Sequence, residues 1–455
     1  RMREWLGDEA DALFAAMNKR EVGLRLNPRR GDLENLRARL SAAGWQTSPV
    51  PWCPAGAWMP EDEIQEIENA PGKHPYHTAG VYYLQDPSAM AAGVILDPRP
   101  GEWVLDMAAA PGGKATHIAA RMEQRGVLVA NDVSRGRASV LAKNIERMGV
   151  TNALITNETP ARLADRWPGL FDAVLVDAPC SGESTFARDD QAARQWTLDG
   201  VRGYAYRQGQ ILAQSARLVR PGGRLLYGTC TFSPEENEGV IAAFLAEHED
   251  FELLGLPALP GLQPGRPEWI DAPGMLARAG RFWPHLTPGH GHFYALLHRA
   301  GEPTRALPAR WTGTRVPGRV LRRYREGVGA ALRDDPPEAG LYLAMPHDHL
   351  YITPLAPDLW EGLHVLRPGW WVASLRHNQV NADHALAVAI RPEAARAVLD
   401  LAPDDPRLAQ FLRGSGWPSD GPQGVVLVAV NGFPLGWAKR SGGRLHSRYP
   451  MHLRK

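Results

Sequence analysis

Two of the chain's three cysteines stand in short motifs that could do chemistry. Val176-Asp177-Ala178-Pro179-Cys180-Ser181-Gly182 and Tyr227-Gly228-Thr229-Cys230-Thr231 each close an apolar run that reads as a strand. A buried cysteine is most often a small inert hydrophobe. Two thiols at neighbouring strand tips, one of them beside Asp-Ala-Pro, point instead to nucleophilic chemistry by a thiolate. The third cysteine, Cys53, lies in no such motif. An odd, sparse set argues against a disulfide framework. No Cys/His cluster has ligand spacing, so no metal is expected.

A second motif could hold a ligand. Trp103-Val104-Leu105-Asp106 runs into Met107-Ala108-Ala109-Ala110-Pro111-Gly112-Gly113-Lys114, and a helix follows. Small residues and paired glycines let backbone approach a ligand closely. The helix start adds amide donors and positive potential, which suits a carboxylate. The spacing is neither GxGxxG nor a P-loop. Asp132 ends the next strand and could accept bonds from ribose hydroxyls; it could equally cap the helix that follows. Ligands in an open α/β sheet sit at the carboxyl ends of strands. Asp106, Asp132, Asp177 and Cys230 all fall at such ends.

The elements that must position these residues read as follows. Helices are expected over 9–20 and 33–40, a strand over 22–26, and a Pro- and Trp-rich loop over 49–60. From about 86 to 300, strand candidates at 102–107, 126–131, 153–156, 173–176, 225–228 and 293–298 alternate with helices such as 114–124, 135–148 and 204–218. That alternation predicts an α/β class, with a parallel sheet covered by helices on both faces. Strands are then expected at 341–344, 350–353, 371–375, 385–390 and 425–430, with helices over 392–399 and 407–412. The division implied is 1–85, a small α+β domain; 86–300, the core; 301–375, a basic linker and small mixed domain; and 376–455, a compact β domain.

The motifs together carry a resemblance. Asp-Met-Ala-Ala-Ala-Pro-Gly-Gly-Lys, Asp-Ala-Pro-Cys-Ser-Gly-Glu, Gly-Thr-Cys-Thr-Phe-Ser-Pro-Glu-Glu-Asn-Glu, Gln85-Asp86-Pro87-Ser88-Ala89-Met90 and Arg25-Leu26-Asn27 resemble those of the RNA cytosine-C5 methyltransferases, over roughly residues 20–300. The resemblance implies a Rossmann-like methyltransferase core that binds S-adenosyl-L-methionine. It implies Cys230 as the nucleophile that adds to cytosine C6, Cys180 as the residue that assists adduct breakdown and RNA release, and Asp177 at the N3/N4 edge of the base. A carboxyl holding a proton at N3 would need a raised pKa. Cofactor contacts are expected from Ala108, Ala109, Ala110, Pro111, Gly112, Gly113, Lys114, Asp132, Asn157 and Asp177. The chain departs from the family pattern at Thr159, where an Asp is usual, at Arg30 for Lys, and at Ser184-Thr185 for Gly-Met. Amino-methylating enzymes often carry Asn/Asp-Pro-Pro-aromatic where this chain has Asp-Ala-Pro-Cys.

The 455 residues carry a formal charge of +1, with 44% hydrophobic and 22% charged residues, an ordinary soluble composition. No segment reaches the ~18 apolar residues of a membrane helix. Glu4, Asp8, Glu9 and Asp11 come early, unlike a secretory signal. A monomeric cytoplasmic protein is expected. The charge is uneven: 299–325 holds eight arginines against Glu302, and 437–455 holds six Lys or Arg and no acid. Such runs are either solvated faces or phosphate-binding surfaces. Trp196, Tyr204 and Tyr206 read as helix packing rather than stacking platforms. The tail Gly432-Phe433-Pro434-Leu435-Gly436-Trp437-Ala438-Lys439-Arg440, with Tyr449-Pro450, resembles the PUA-like domain of bacterial multisite 16S ribosomal RNA methyltransferases of the RsmF type. It favours 16S ribosomal RNA, free or in the 30S subunit, as partner. A transfer-RNA methyltransferase and a non-catalytic cofactor-binding assembly factor are the alternatives.

Overall fold

The computed structural model describes residues 1–60, 70–186, 190–302, 316–338, 341–344, 349–376 and 379–454. Its centre is a ten-stranded sheet. Five strands run parallel in the order Val219–Thr229, Phe171–Asp177, Trp103–Asp106, Val127–Asn131, Ala153–Thr156. The two-residue period of a strand sends neighbours to opposite faces. Val104, Leu128, Ile155 and Leu175 therefore enter one apolar cluster, and Leu105, Val129, Leu154 and Val174 the other. Helices Pro87–Leu96, Gly113–Arg121 and Arg135–Arg147 cover the first face; Pro160–Arg166, Leu198–Ala216 and Glu238–Glu247 cover the second. Strands buried on both faces read as continuous apolar runs, which is why the sequence located them.

The sheet's two ends differ from expectation. His292–Arg299 pairs antiparallel with Val219–Thr229. At the other end, Val365–Arg367 crosses from the C-terminal region to pair with Ala153–Thr156. Behind that joint, Arg367 and His384 both reach the buried Glu146 at 2.6 Å.

Three smaller sheets flank the core. Ser48–Val50, Cys53–Pro60, Glu21–Leu26 and Tyr82–Leu84 form the first, so much of the expected loop at 49–60 is strand. Gly56, Ala57 and Met59 are buried there, and antiparallel pairing to Glu21–Leu26 supplies the backbone partners. The second contains Leu341–Ala344, His349–Ile352, Trp370–Arg376 and Gln379–Ala382. The third is five-stranded around Gly424–Val430 and Phe433–Ser441. Two further expectations are corrected. The apolar run 385–390 is largely a short helix, His384–Ala387, started by Asp383 capping the Ala385 amide. The expected helix at 392–399 is a 3-10 turn, Pro392–Ala394, and then a strand, Val398–Leu401, drawn into parallel pairing with Gly424–Val430. Residues 303–315 of the basic stretch lie outside the described residues, and its end enters the helix Gly318–Gly329.

Candidate active site

The two cysteine loops leave adjacent parallel strands and are braced against each other. The Ala178 amide donates to the Gly228 carbonyl (2.9 Å) and the Ser184 amide to the Cys230 carbonyl (3.2 Å). The Glu183 carboxylate accepts from the Phe232 amide at 2.9 Å and the Ser233 hydroxyl at 2.6 Å. Glu236, fully buried, accepts from the Ser181 amide and hydroxyl and from Gln208. Asn237 ties Thr229 to the Thr231 carbonyl. These acids and amides stand where two loops need donors and acceptors inside the protein, since buried polar groups must be paired. The result holds the Sγ atoms of Cys180 and Cys230 3.3 Å apart, both as free thiols.

The two thiols have unlike surroundings. The hydrogen bond between the two sulfurs lowers the Cys230 thiol's pKa, and the Lys114 charge adds to this against burial and Asp177. The same bond, burial and the Glu236 carboxylate push the Cys180 thiol up. The shifts run in opposite directions, favouring ionisation at Cys230 and protonation at Cys180. The Lys114 ammonium donates to Asp177 Oδ2 at 2.8 Å, and neither side chain is more than a third exposed. Asp106 lies behind them, wholly buried, with no side-chain hydrogen-bond partner among the described residues. Burial, then Asp177, push its carboxyl up to about 8. The sequence assigned Asp106 no role.

The glycine turn abuts this cluster. Its strand end is tied to the next two: the Ala109 amide donates to the Asn131 carbonyl, and the Asn131 side chain binds the Met107 and Glu158 carbonyls and the Thr156 hydroxyl. Gly112 adopts φ 115°, closed to most residues, and a Cβ there would meet Leu141 at 3.2 Å. Arg25 reaches from the N-terminal sheet to the Gly113 carbonyl, Thr116 and Gln85, and Asn27 binds the Gly80 and Met148 carbonyls. The Arg-Leu-Asn and Gln-Asp-Pro-Ser motifs are therefore braces that set the turn.

Asp132 does not cap the following helix; Ser134 does, and Asp132 Oδ1 accepts from the Ser134 amide. Its Oδ2 is buried and accepts no hydrogen bond, with Arg137 Nε 3.5 Å away. Asn157 donates to the Asp132 carbonyl at 2.8 Å, and Thr159 caps the helix Pro160–Arg166. An orphan acceptor at a strand tip, beside a backbone turn ahead of a helix start, fits a ligand with ribose hydroxyls and a carboxylate.

Several residues fall elsewhere. Cys53 is buried, its sulfur 4.0 Å from His117 Nε2, on the far side of the turn helix. Tyr206 is 74% exposed, contrary to the packing role expected of it, while Trp196 and Tyr204 are half-buried. Phe433 and Tyr449 are buried in an apolar cluster shared with the N-terminal sheet and Trp437 in another, while Lys439 and Arg444 are exposed. Sequence reading missed two site residues. Glu236 was inside a quoted motif. His292, whose Nε2 lies 3.5 Å from Lys114 Nζ, has no local signature. Among the described residues no helix is long and apolar enough to cross a membrane, and no group of three His, Cys, Asp or Glu could hold a metal.

Comparison with known proteins fits this geometry. Residues 93–298 match the model of the 16S rRNA methyltransferase RsmB/F family. Residues 1–87 match the N-terminal domain of the 16S rRNA methyltransferase RsmF, 331–390 its first C-terminal domain, and 398–455 its PUA domain. Proteins named ribosomal RNA small subunit methyltransferase F are similar over nearly the whole chain. That of Aeromonas salmonicida is 31% identical, covering 97% of this chain and 92% of its own. That of an Enterobacter species is also 31% identical, with the same coverage. Among solved structures, a methyltransferase homolog protein from Pyrococcus horikoshii is 32% identical with a TM-score of 0.56, covering 66% of this chain and 93% of its own. The NSun6 protein of that organism, solved with SFG, is 22% identical with a TM-score of 0.56, covering 66% and 97%, and shares the fold.

Proposed function

The chain belongs to the family of the ribosomal RNA small subunit methyltransferase F proteins, and on that premise we propose that it methylates C5 of cytosine in small-subunit ribosomal RNA through a covalent bond between Cys230 and C6. The observation that supports this best is the pairing of two free thiols 3.3 Å apart, one of them beside the Lys114–Asp177 ion pair.

Cytosine C5 is a poor nucleophile. Addition of the Cys230 thiolate to C6 breaks the C5=C6 double bond and makes C5 enamine-like. Asp177 stands at the strand tip where it can bind the N3/N4 edge, and Lys114 fixes its carboxylate. S-adenosylmethionine, when bound, supplies the electrophilic methyl carbon; the turn Ala108 to Lys114, with Asp132, Asn157 and Asp177, would hold it. Water then takes the C5 proton, the C–H pair re-forms the C5=C6 bond, and the sulfur leaves C6 as thiolate with the C–S pair. Cys180, within hydrogen-bond reach of the departing sulfur, assists that release. The base must leave its stack for a thiol to reach C6.

The substrate assignment rests on the relatives' names and on the match of residues 398–455 to a PUA domain. Methylation of naked 16S RNA, 30S subunits and total transfer RNA with labelled S-adenosylmethionine tests it. Label is expected in the small-subunit RNA, free or assembled. Label confined to transfer RNA would overturn the substrate, and none in any RNA would favour a cofactor-binding assembly factor.

A further inference from the structure

Lys114 has a second polar neighbour, brought by a segment that none of the motifs includes. His292 opens the antiparallel strand His292–Arg299 and is 8% exposed. Its Nε2 lies 3.5 Å from Lys114 Nζ and its Nδ1 2.9 Å from the Ser88 hydroxyl. Ser88 in turn binds the Asp86 carboxylate, which also accepts from the Ala89 and His290 amides. A continuous line therefore runs Asp177, Lys114, His292, Ser88, Asp86.

The two ends fix the direction of every link. An ammonium has only donors and an ionised carboxylate only acceptors. Lys114 must donate to Nε2, so the imidazole is neutral and carries its proton on Nδ1. That proton goes to Ser88, and the Ser88 hydroxyl donates to Asp86. Burial and then the Lys114 charge push the imidazole down to about 4, consistent with the neutral ring.

We infer that His292 is a positioning residue: tethered through Ser88 to Asp86, it holds the Lys114 ammonium against Asp177 and beside Cys230. A lysine is a flexible four-carbon stem, and confining it costs rotamer entropy. Asp177 fixes one N–H direction; His292 fixes a second, and two directions locate the charge. The inference rests on the reading of Cys230 as nucleophile, because the charge being located is the one that favours its thiolate. The groups facing Cys230 are Cys180, Asp177, Lys114 and Ser184; those facing Lys114 include Asp177, Cys230, Asp106 and His292; those facing His292 are Lys114, Asp86, Asp177 and His290. Only Lys114 among them brings a permanent positive charge to the thiol.

A packing role would look different. His292 stacks on Tyr294 with centroids 5.6 Å apart and planes 13° apart, a contact that phenylalanine preserves. The test is the rate of iodoacetamide alkylation of Cys230 across pH 6–10 in the full chain, read by peptide mass spectrometry, for the parent, His292→Phe, His292→Gln and Ser88→Ala. His292→Phe is expected to move the profile to higher pH, with alkylation at pH 7 about threefold slower or more. His292→Gln, which keeps an acceptor near the Nε2 position, is expected to restore most of the rate. Ser88→Ala should move the profile in the same direction by less. A His292→Phe profile that superimposes on the parent's overturns the inference. If that variant does not fold, a Ser88→Ala profile that superimposes on the parent's overturns it instead. Methyl transfer that survives Cys230→Ala would sink the nucleophile reading separately, since alkylation is measured without RNA.

Discussion

The sulfur of Cys180 lies 3.3 Å from that of Cys230, and the surroundings shift the two thiols in opposite directions. The hydrogen bond between the sulfurs, with the Lys114 ammonium, favours a thiolate on Cys230 against burial and Asp177, while the same bond, burial and the Glu236 carboxylate favour a protonated Cys180. Opposite shifts on two like residues are how paired groups can divide acid and base roles.

Differential reactivity follows. At pH 7 iodoacetamide should label Cys230 about tenfold faster than Cys180 or more, because the thiolate is the nucleophile. Peptide mass spectrometry at short times reads the ratio. Equal labelling, or Cys180 first, would contradict the assignment.

Asp106 should show itself in stability. Its folded pKa of about 8 lies above the ~3.9 of an unfolded aspartate. Between these values the folded state binds more protons, so its contribution falls as pH rises from about 4 through 8. Asp106→Asn removes that dependence. Thermal melts should show the variant gaining on the parent over this range. A constant difference between pH 5 and 9 would mean that Asp106 is not held protonated.

Glu146 gives the opposite sign at the joint between the core and the C-terminal region. Burial opposes its ionisation, but Arg367 and His384 prevail and hold the carboxyl at about 2. The stabilisation is full above the unfolded value of ~4.3 and is lost as pH falls toward 2. Glu146→Gln leaves Arg367 buried without its carboxylate and should cost about 3 kcal/mol at pH 7. Urea unfolding at pH 7 and pH 3 reads both effects: the gap between parent and variant should narrow at pH 3. An unchanged gap would remove the ion pair from the account.

The strand tips were legible because strands buried on both faces leave unbroken apolar runs, so Asp106, Asp132, Asp177 and Cys230 could be placed at one edge before any coordinates. Elements decided by distant partners were not. The run 385–390 is too short for its periodicity to separate helix from strand. A helix was expected over 392–399, but pairing with Gly424–Val430 took Val398–Leu401 into a sheet. His292 was invisible for the same reason: Ser88 and Lys114 stand 204 and 178 positions away from it. The tail's basic and aromatic residues suggested an RNA surface, yet Phe433 and Trp437 are buried, in two different apolar clusters.

The most direct test of the central claim is to isolate the bond it requires. Cys180→Ala, incubated with S-adenosylmethionine and small-subunit ribosomal RNA, should accumulate a protein–RNA species that survives denaturing electrophoresis. Nuclease and protease digestion followed by mass spectrometry should place a 5-methylcytidine on the peptide containing Cys230. A methylated RNA product with no shifted band, or a nucleotide attached to any other residue, would contradict the account.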